Sequence, residues 1–278
     1  MSATTPSTQT GLGPWMRLLR ISNAPTALTG SLVGAMVGMH SGAGSPALST
    51  LVLCGVGSVL LYAGGMVMND YFDQPIDRIE RPDRPIVSGQ VSEAAALTLG
   101  MVMLSLGVGT IVAIGSSVVP WVLLLLAMIL AYNLLHRDPV AAPVLMACCR
   151  MLVPVISAIA CAPQHRPEWP LLAAVSLPLG AYTGMISLAA RHEAARIPFI
   201  PSGLHRDALL AGALLAALAP VGLMAAGMLE PFPRDALVLA VPALAIAGWP
   251  SQRADETVTL KGQWALARAA GLLEAISR

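Results

Sequence analysis

The sequence predicts an all-helical membrane protein with eight or nine spanning helices, on three observations. Only 11% of the 278 residues are charged and 56% are apolar, whereas a soluble domain carries about 25% charged residues. The apolar residues form stretches of about 20, the length at which a helix crosses a bilayer. A single dense charged stretch, NDYFDQPIDRIERPDRPIVSG at Asn69–Gly89, separates two of these long apolar regions.

Eight apolar stretches are predicted spans, and a ninth is less regular. In chain order the eight are Ile21–Met39, Ala47–Met68, Ala94–Ile114, Val118–Leu135, Val140–Ala162, Pro170–Ala190, Ala208–Leu229 and Ala236–Trp249. The ninth, Thr257–Ile276, contains charged residues and would alternatively lie on the membrane surface as an amphipathic helix. Residues 1–14 are predicted to be a disordered tail, and residues 15–278 a single transmembrane domain.

The distribution of cations predicts the orientation in the membrane. Alternating the loops places Arg17, Arg20, Arg78, Arg81, Arg84, Arg137, Arg191, Arg196, Arg206, Arg253 and Lys261 on one side, against Arg166 and Arg234, with Arg278 if the ninth span is real, on the other. By the positive-inside rule the first side is cytosolic. We therefore expect a multi-pass protein of the cell membrane with a cytosolic N-terminus. A net charge of +1 offers no basic surface for nucleic acid.

Three aspartates in the charged stretch are spaced to share one helical face: Asp70, Asp73 and Asp77. Because Pro75 would lose a backbone hydrogen bond and clash with the carbonyl of Tyr71, we expect the helix leaving the second span to unwind there. Carboxylates gathered at one point repel unless a cation neutralises them. Mg²⁺ suits such a site, since it binds one or two carboxylates and completes its shell with phosphate oxygens. The alternative is a solvated loop.

Arginines accompany the aspartates along the same stretch. Arg78, Arg81 and Arg84 follow at short intervals, and one or two of them could bind phosphate oxygens directly. The stretch therefore predicts a diphosphate site at the membrane surface.

The pattern Asn69-Asp70-x-x-Asp73-x-x-x-Asp77, followed by Arg84-Pro85-x-x-Ser88-Gly89, resembles the first aspartate-rich motif of the UbiA-type intramembrane prenyltransferases. RLLRISNAPTALTG, at the first span, resembles the helix-one signature of that family. The resemblance implies an all-helical fold with a central cavity open to the cytosolic side. It also implies Mg²⁺-dependent transfer of a prenyl group from a polyprenyl diphosphate to an acceptor. In that arrangement Asp70 and Asp73 bind Mg²⁺–diphosphate, Asp77 supports them, and Asn69 orients the cluster.

The second half of the chain departs from the family pattern. The family's second acidic motif is reduced, after the sixth span, to Glu193 and the distant Asp207. The segments AYNLLHRDP, ACCR and SLAARHE resemble the EboC-like branch of the superfamily. An alternative function follows: a non-catalytic protein that carries a prenylated or other lipophilic precursor, with partner proteins, in a biosynthesis or export pathway. An ion-coupled transporter fits less well, since the acidic cluster is not in mid-span.

Further polar residues in or beside the spans are candidates for substrate binding, each with a structural alternative. Arg150 lies deep in the fifth span, where an ionisable group is costly and by default functional, although a buried ion pair would also explain it. The remaining candidates are Arg191 and Glu193 after the sixth span, His136 and Arg137 after the fourth, and Asn23 and Asn133 within spans. Interfacial anchoring is the alternative for the charged residues, and the more usual role for Arg191 taken alone, whereas interhelical hydrogen bonding is the alternative for the asparagines.

Overall fold

Helices make up every regular element of the part of the chain that the structure, a computed structural model, describes: residues 11–40, 46–162 and 168–194. The α-helices are α1 (Leu12–Leu18), α2 (Ala24–Gly38), α3 (Leu48–Phe72), α4 (Gln74–Glu80), α5 (Glu93–Val112), α6 (Val119–Leu135), α7 (Ala141–Cys161) and α8 (Trp169–Ala194). The chain divides into two compact units, Met1–Leu188 and Ala189–Arg278. The expectation of a single domain over residues 15–278 stays a prediction.

Four of the described helices are long and apolar enough to cross a membrane: α3, α5, α7, and α6 together with the 3₁₀ turn that leads into it at Ser116. The first predicted span is shorter than expected, because Ile21–Asn23 forms a 3₁₀ turn and α2 has only 15 residues. The three predicted spans at Ala208–Leu229, Ala236–Trp249 and Thr257–Ile276 lie outside the described residues. The described helices thus support an integral membrane protein, and the count of eight or nine spans stays a prediction.

The α3 helix lies among α2, α5, α6 and α7. Large apolar side chains fill the space around it and are almost fully buried, among them Leu61, Ile111, Val122 and Ile156. The outward faces of α5 and α6 instead expose apolar side chains, such as Leu106 at 55% and Leu123 at 50%. An apolar exterior of this kind suits a helix bundle surrounded by lipid.

The α2 and α7 helices cross with their backbones in direct contact. A Cβ added at Gly34 would overlap the backbone of Pro154, and one at Gly38 would overlap the carbonyl of Ala158. Close to this contact the hydroxyls of Ser31 and Ser157 lie 2.9 Å apart and hydrogen bond across the helices. Small residues permit this approach in membrane helices, where packing and interhelical hydrogen bonds drive association.

The polar end of α3 positions the charged stretch. The helix continues through Asn69 and Asp70 to Phe72, after which Asp73 forms a turn and α4 begins with Pro75 in its first turn. A proline is well accommodated there, because the first backbone N–H groups of a helix have no partner within it. The helix is therefore interrupted at Asp73, two residues before the proline, and it resumes as α4 where unwinding was expected. The end of α3 at Phe72 lies four residues beyond the predicted end of the second span.

Candidate functional site

Asp70 lies at the polar end of α3 between two arginines. Its Oδ1 accepts hydrogen bonds from Arg20 Nη2 at 2.8 Å and from Arg84 Nη1 at 2.7 Å. The aspartate side chain is 6% exposed and that of Arg84 15%. Charge-assisted hydrogen bonds between such buried partners are shorter and stronger than neutral ones. The carboxylate is thereby held in place by residues 50 positions before it and 14 positions after it.

Arg84 joins two of the three aspartates. Its Nη1 lies 2.9 Å from Asp77 Oδ2 as well as 2.7 Å from Asp70 Oδ1. The loop between α4 and α5 carries this arginine, and the loop is fixed by its own hydrogen bonds, including one at 2.8 Å from the Ser88 backbone N–H to the Arg84 carbonyl. Gly89 completes the turn with a φ of +74°, in the left-handed region that favours glycine. The Arg-Pro-x-x-Ser-Gly sequence therefore holds a guanidinium against the aspartates.

Asp77 is almost fully buried at 4% exposure, in the short helix α4 beyond the end of α3. Arg84 lies close to its Oδ2, but not along a hydrogen-bonding direction, so this oxygen has no hydrogen bond. Burial raises the pKa of Asp77, and the neighbouring carboxylates of Asp73 and Asp70 raise it further, whereas Arg84 lowers it. Asp77 is therefore a carboxylate that additional positive charge would stabilise.

Asp73 connects the cluster to α6. Its Oδ2 accepts a hydrogen bond of 2.6 Å from Asn69 Nδ2, so these two predicted site residues are in contact. Its Oδ1 lies 2.7 Å from His136 Nε2. The other ring nitrogen of His136 lies 2.7 Å from the Asn133 carbonyl. Because a carbonyl only accepts, Nδ1 carries a proton and donates it.

Arg20 reaches the cluster from the turn that precedes α2. It has a φ of 47° and a ψ of 48°, the left-handed conformation that residues with a side chain adopt at a cost. Backbone strain of this kind persists where the surrounding structure enforces it, and it concentrates at functional sites. Its Nη1 also lies 3.5 Å from the sulfur of Met66, one turn before Asp70 on α3. The conformation thus directs a cation along the face of α3 that carries Asp70.

The donor chemistry of the cluster suits Mg²⁺. Carboxylate oxygens are the ligands this hard ion prefers, and it takes one or two of them beside water and phosphate oxygens. In the arrangement described here, arginines and a histidine face the carboxylates, and within the described residues no three His, Cys, Asp or Glu side chains are grouped closely enough to hold a metal together. The buried Oδ2 of Asp77, without a hydrogen bond, is a further oxygen available to a cation. The Mg²⁺ set Asp70, Asp73 and Asp77 stays a prediction.

Arg150 occupies the middle of α7 and stacks on an aromatic ring. Its Cζ lies 5.2 Å from the ring centroid of Tyr62 in α3, a distance typical of a cation–π contact. The Asn23 side chain approaches the same tyrosine from the turn before α2. The structure thus brings Asn23 and Arg150 to one ring, and the ion pair considered as a structural alternative for Arg150 does not occur among the described residues.

The other predicted binding residues form no ion pair with the aspartates of the cluster, or their side chains lie outside the described part of the chain. Arg81 and Arg137 are exposed, and neither forms an ion pair with a described carboxylate. Asn133 is buried, and its amide donates to the Ile129 carbonyl at 2.9 Å. Arg191 and Glu193 lie in the last turns of α8, but their side chains are outside the described part of the chain. The assignments of these residues to substrate stay predictions.

Arg20 is the site residue that the sequence pattern did not reveal. In the sequence it appears as one of the cations flanking the first span and as part of RLLRISNAPTALTG, 50 positions from Asp70, with no role assigned to it. The one local signal is its place just before the turn Ile21–Asn23, where the chain changes direction.

Comparison with solved structures shows the fold. Over 87% of this chain and 88% of the other, the structure superposes with a TM-score of 0.61 on a UbiA homologue from Archaeoglobus fulgidus bound to GPP and Mg²⁺, at 17% identity. It superposes on a UbiA homologue from Aeropyrum pernix K1 with a TM-score of 0.64 and 22% identity, over 82% of this chain and 86% of that one.

Sequence comparison gives the family. A digeranylgeranylglyceryl phosphate synthase from Methanothrix thermoacetophila is 44% identical over 82 residues, which make up 30% of each chain. The chain thus matches less than a third of this curated relative's length. The model of the UbiA prenyltransferase family, in contrast, matches residues 29–265, most of the chain. This protein therefore belongs to the UbiA prenyltransferase family.

Proposed function

We propose that the protein transfers a prenyl group from a polyprenyl diphosphate to an acceptor within the membrane, with Mg²⁺ as cofactor. The observation that carries the proposal is the cluster of Asp70, Asp73 and Asp77 with Arg20 and Arg84, at the end of a membrane-spanning helix. At this position the charged cluster can bind the diphosphate of the substrate, while the apolar helices beside it can contact the prenyl chain. The orientation with a cytosolic N-terminus and the location in the cell membrane are part of the proposal.

The two arginines are suited to bind the diphosphate. In the arrangement described, Arg20 and Arg84 are occupied with Asp70, and Arg84 also lies against Asp77. Asp70, Asp73 and Asp77 would hold Mg²⁺, which when bound supplies positive charge to the leaving diphosphate. Charge brought to the aspartates would allow the guanidinium groups to turn to phosphate oxygens, for which their planar donors are well suited.

In the reaction the bond between the allylic carbon and the diphosphate oxygen breaks, and its electron pair leaves with the diphosphate. The acceptor donates an electron pair to that carbon to form the new bond, and its proton passes to a base. Fixed positive groups facing the leaving oxygens lower the barrier, because they stabilise charge that develops in the transition state. The apolar side chains around α3 would exclude the water that would otherwise capture the cationic prenyl group.

Membership of the family supports prenyl transfer as the reaction class, but it does not identify the acceptor. The relative's name refers to a glyceryl phosphate product, and a glyceryl phosphate lipid is therefore the first acceptor to test. The resemblance to the EboC-like branch, with its open choice of substrate, also stays a prediction.

The test measures binding of labelled geranyl diphosphate and longer prenyl diphosphates to the purified chain with and without Mg²⁺, and release of pyrophosphate in the same samples. Asp70→Asn and Asp73→Asn remove charge without changing shape. Glu93→Gln is the matched control, since Glu93 is exposed and forms a surface pair of 3.4 Å with Arg78. We expect the two aspartate variants to reduce release about 100-fold or more, the scale of losing one group that stabilises transition-state charge.

The outcomes separate the candidate functions. Mg²⁺-dependent binding with release, lost in both aspartate variants and kept in the control, supports prenyl transfer. Binding without release, even with acceptors added, would favour the non-catalytic carrier. Absence of binding in the wild-type chain would overturn the proposal.

A further inference from the structure

A second cationic position lies deeper in the bundle than the aspartate cluster. Tyr62 precedes Asp70 by eight residues on α3, and Met66 lies halfway between them, so the three share one face of the helix. At 1.5 Å per residue the tyrosine lies about 12 Å below the aspartate along the helix axis. Arg150 stacks on this tyrosine from α7. Tyr62 and its cation are therefore two helical turns from Asp70, along the same face of α3.

Arg150 has no anionic partner in the described part of the chain. Its guanidinium carries five N–H donors, and none of them forms a hydrogen bond to a described residue. Among the described residues, its polar interaction is the cation–π contact with the ring of Tyr62, at 5.2 Å. The neighbouring residues on its helix, Cys149 and Met151, are apolar, and most of the surface of the arginine is buried. A charged group inside a spanning helix is costly and is retained where it serves a ligand or a partner.

The prenyl diphosphate does not account for this cation. Its one charged group is assigned to the cluster, where Arg20 and Arg84 already lie against the aspartates, and its prenyl chain is neutral. Tyr62, the ring partner of Arg150, lies about 12 Å from Asp70 along the axis of α3. An anion bound at Arg150 would therefore belong to a different molecule. In a two-substrate transfer the second molecule is the acceptor.

We propose that Arg150, held against the Tyr62 ring, binds an anionic group of the acceptor, a carboxylate or a phosphate. The inference rests on the proposed prenyl transfer. The cation–π contact orients the guanidinium while leaving its edge, where the N–H groups lie, free to form two parallel hydrogen bonds with a planar or tetrahedral anion. The Asn23 side chain beside Tyr62 adds a neutral donor and acceptor at the same level. The site selects acceptors by charge, since an uncharged acceptor would leave the arginine unpaired.

The experiment compares matched probes on the full-length chain in detergent or lipid discs. Binding is measured for geranylgeranylglyceryl phosphate against geranylgeranylglycerol, and for an aromatic carboxylate against its amide. The variants are Arg150→Leu, Arg150→Gln and Arg150→Lys, with Arg17→Leu as the matched control because Arg17 is exposed and hydrogen bonded to Gln90 at 2.6 Å. Mg²⁺-dependent binding of geranyl diphosphate is measured on every variant in parallel.

We expect the wild-type chain to bind one of the anionic probes about 10- to 100-fold more tightly than its neutral counterpart, the scale of a hydrogen bond to a charged group. Arg150→Leu and Arg150→Gln should reduce that ratio to near one, and Arg150→Lys should keep part of it. Geranyl diphosphate binding should stay within about twofold in all of them, since Arg150 lies outside the cluster. Which anionic probe shows the preference identifies carboxylate or phosphate as the bound group.

A ratio that is unchanged in Arg150→Gln would overturn the proposal, as would a wild-type chain without preference for either anion. If Arg150→Leu does not fold, the glutamine and lysine variants carry the comparison. Failure of the proposed function is distinguishable, because it appears as a wild-type chain that does not bind geranyl diphosphate, whatever its preference among acceptor probes. A merely structural cation–π contact would lower the thermal stability of the variants without changing the ratio.

Discussion

The crossing of α2 and α7 and the aspartate cluster are both tightly packed contacts between helices, but different forces determine them. At the crossing, Gly34 has no side chain, and the backbone of Pro154 fills the space where one would be. In the cluster, Arg84 lies between two carboxylates and could exchange either for another anion without displacing a backbone. The first contact is steric and has one arrangement, whereas the second is electrostatic and can change partners. A second substitution should therefore restore stability lost through a change of charge at the cluster. Stability lost through a change of volume at the crossing should not be restored in this way.

The largest effect is expected from Gly34→Ala. Because the added methyl would meet backbone atoms of Pro154, which cannot rotate away, α2 and α7 must separate. We expect a loss of about 3 kcal/mol or more in the free energy of unfolding, the upper range for overpacking. Thermal unfolding in detergent measures it.

Gly30→Ala is the control for the crossing. Its added methyl would meet only Val153 Cγ1 at 3.6 Å and Leu179 Cδ2 at 3.8 Å, which are ordinary contacts. The stability should change by no more than about 0.5 kcal/mol. Equal losses in the two variants would show that the crossing is not the rigid contact described.

A smaller effect is expected from Arg84→Gln in Mg²⁺-free buffer. Asp70 keeps Arg20, but the buried Asp77 loses the cation nearest to it. Removing one partner of a buried ion pair is strongly destabilising, and with partial exposure of Arg84 we expect a cost of about 2 kcal/mol.

The second substitution Asp77→Asn should recover part of that cost, since it removes the carboxylate left unpaired. A double-mutant cycle on the unfolding free energy measures the recovery. Purely additive losses would mean that Arg84 and Asp77 are not coupled, contrary to the 2.9 Å between them.

The smallest effect concerns the pH dependence of stability. Burial raises the pKa of Asp77 above its ordinary value of 3.8, so the folded chain binds this proton more tightly than the unfolded chain. The contribution of Asp77 to stability is complete below pH 3.8 and is lost as pH rises through the folded-state pKa. The free energy of unfolding should therefore fall less steeply above that pH in Asp77→Asn than in the wild-type chain. At pH 7 the metal-free variant should be slightly more stable than the wild type.

Unfolding of both chains from acid to neutral pH, without Mg²⁺, measures this difference. A wild-type stability that instead rises through this range more steeply than that of Asp77→Asn would mean that Arg84 outweighs burial at this carboxylate.

The parts of the fold that follow from local chemistry were predictable from sequence. The interruption just before Pro75 depends on one missing N–H and one clash, which follow from the presence of a proline. Spacing alone also predicted that Asp70, Asp73 and Asp77 belong to one site. The structure places Arg84 against Asp70 and Asp77, and the common site of all three stays a prediction. The proline and the spacing are properties of single segments, which a linear sequence displays.

The partners of the aspartates were harder to predict because they depend on how distant helices pack. His136 and Arg137 are adjacent in the turn that follows α6, yet only the histidine lies against Asp73. The direction of each side chain there depends on how α6 packs and on how the chain turns beyond it. The Arg20 side chain contacts Asp70 from a residue with a left-handed backbone. The hydropathy of a sequence predicts neither the rotation of a helix about its axis nor a strained backbone dihedral angle, so these contacts could not be predicted from it.

The length of α3 determines how deep in the bilayer the cluster lies. Its 25 residues extend about 37 Å, against a hydrocarbon layer of about 30 Å. Upright in a membrane, the helix therefore exceeds that layer by about five residues, the number from Met68 to Phe72. The aspartates then lie at the level of the lipid head groups. The prenyl diphosphate of the proposed function could reach them by lateral diffusion in its own leaflet, so that its chain never enters water. Each CH₂ group that stays in lipid avoids a cost of about 0.8 kcal/mol.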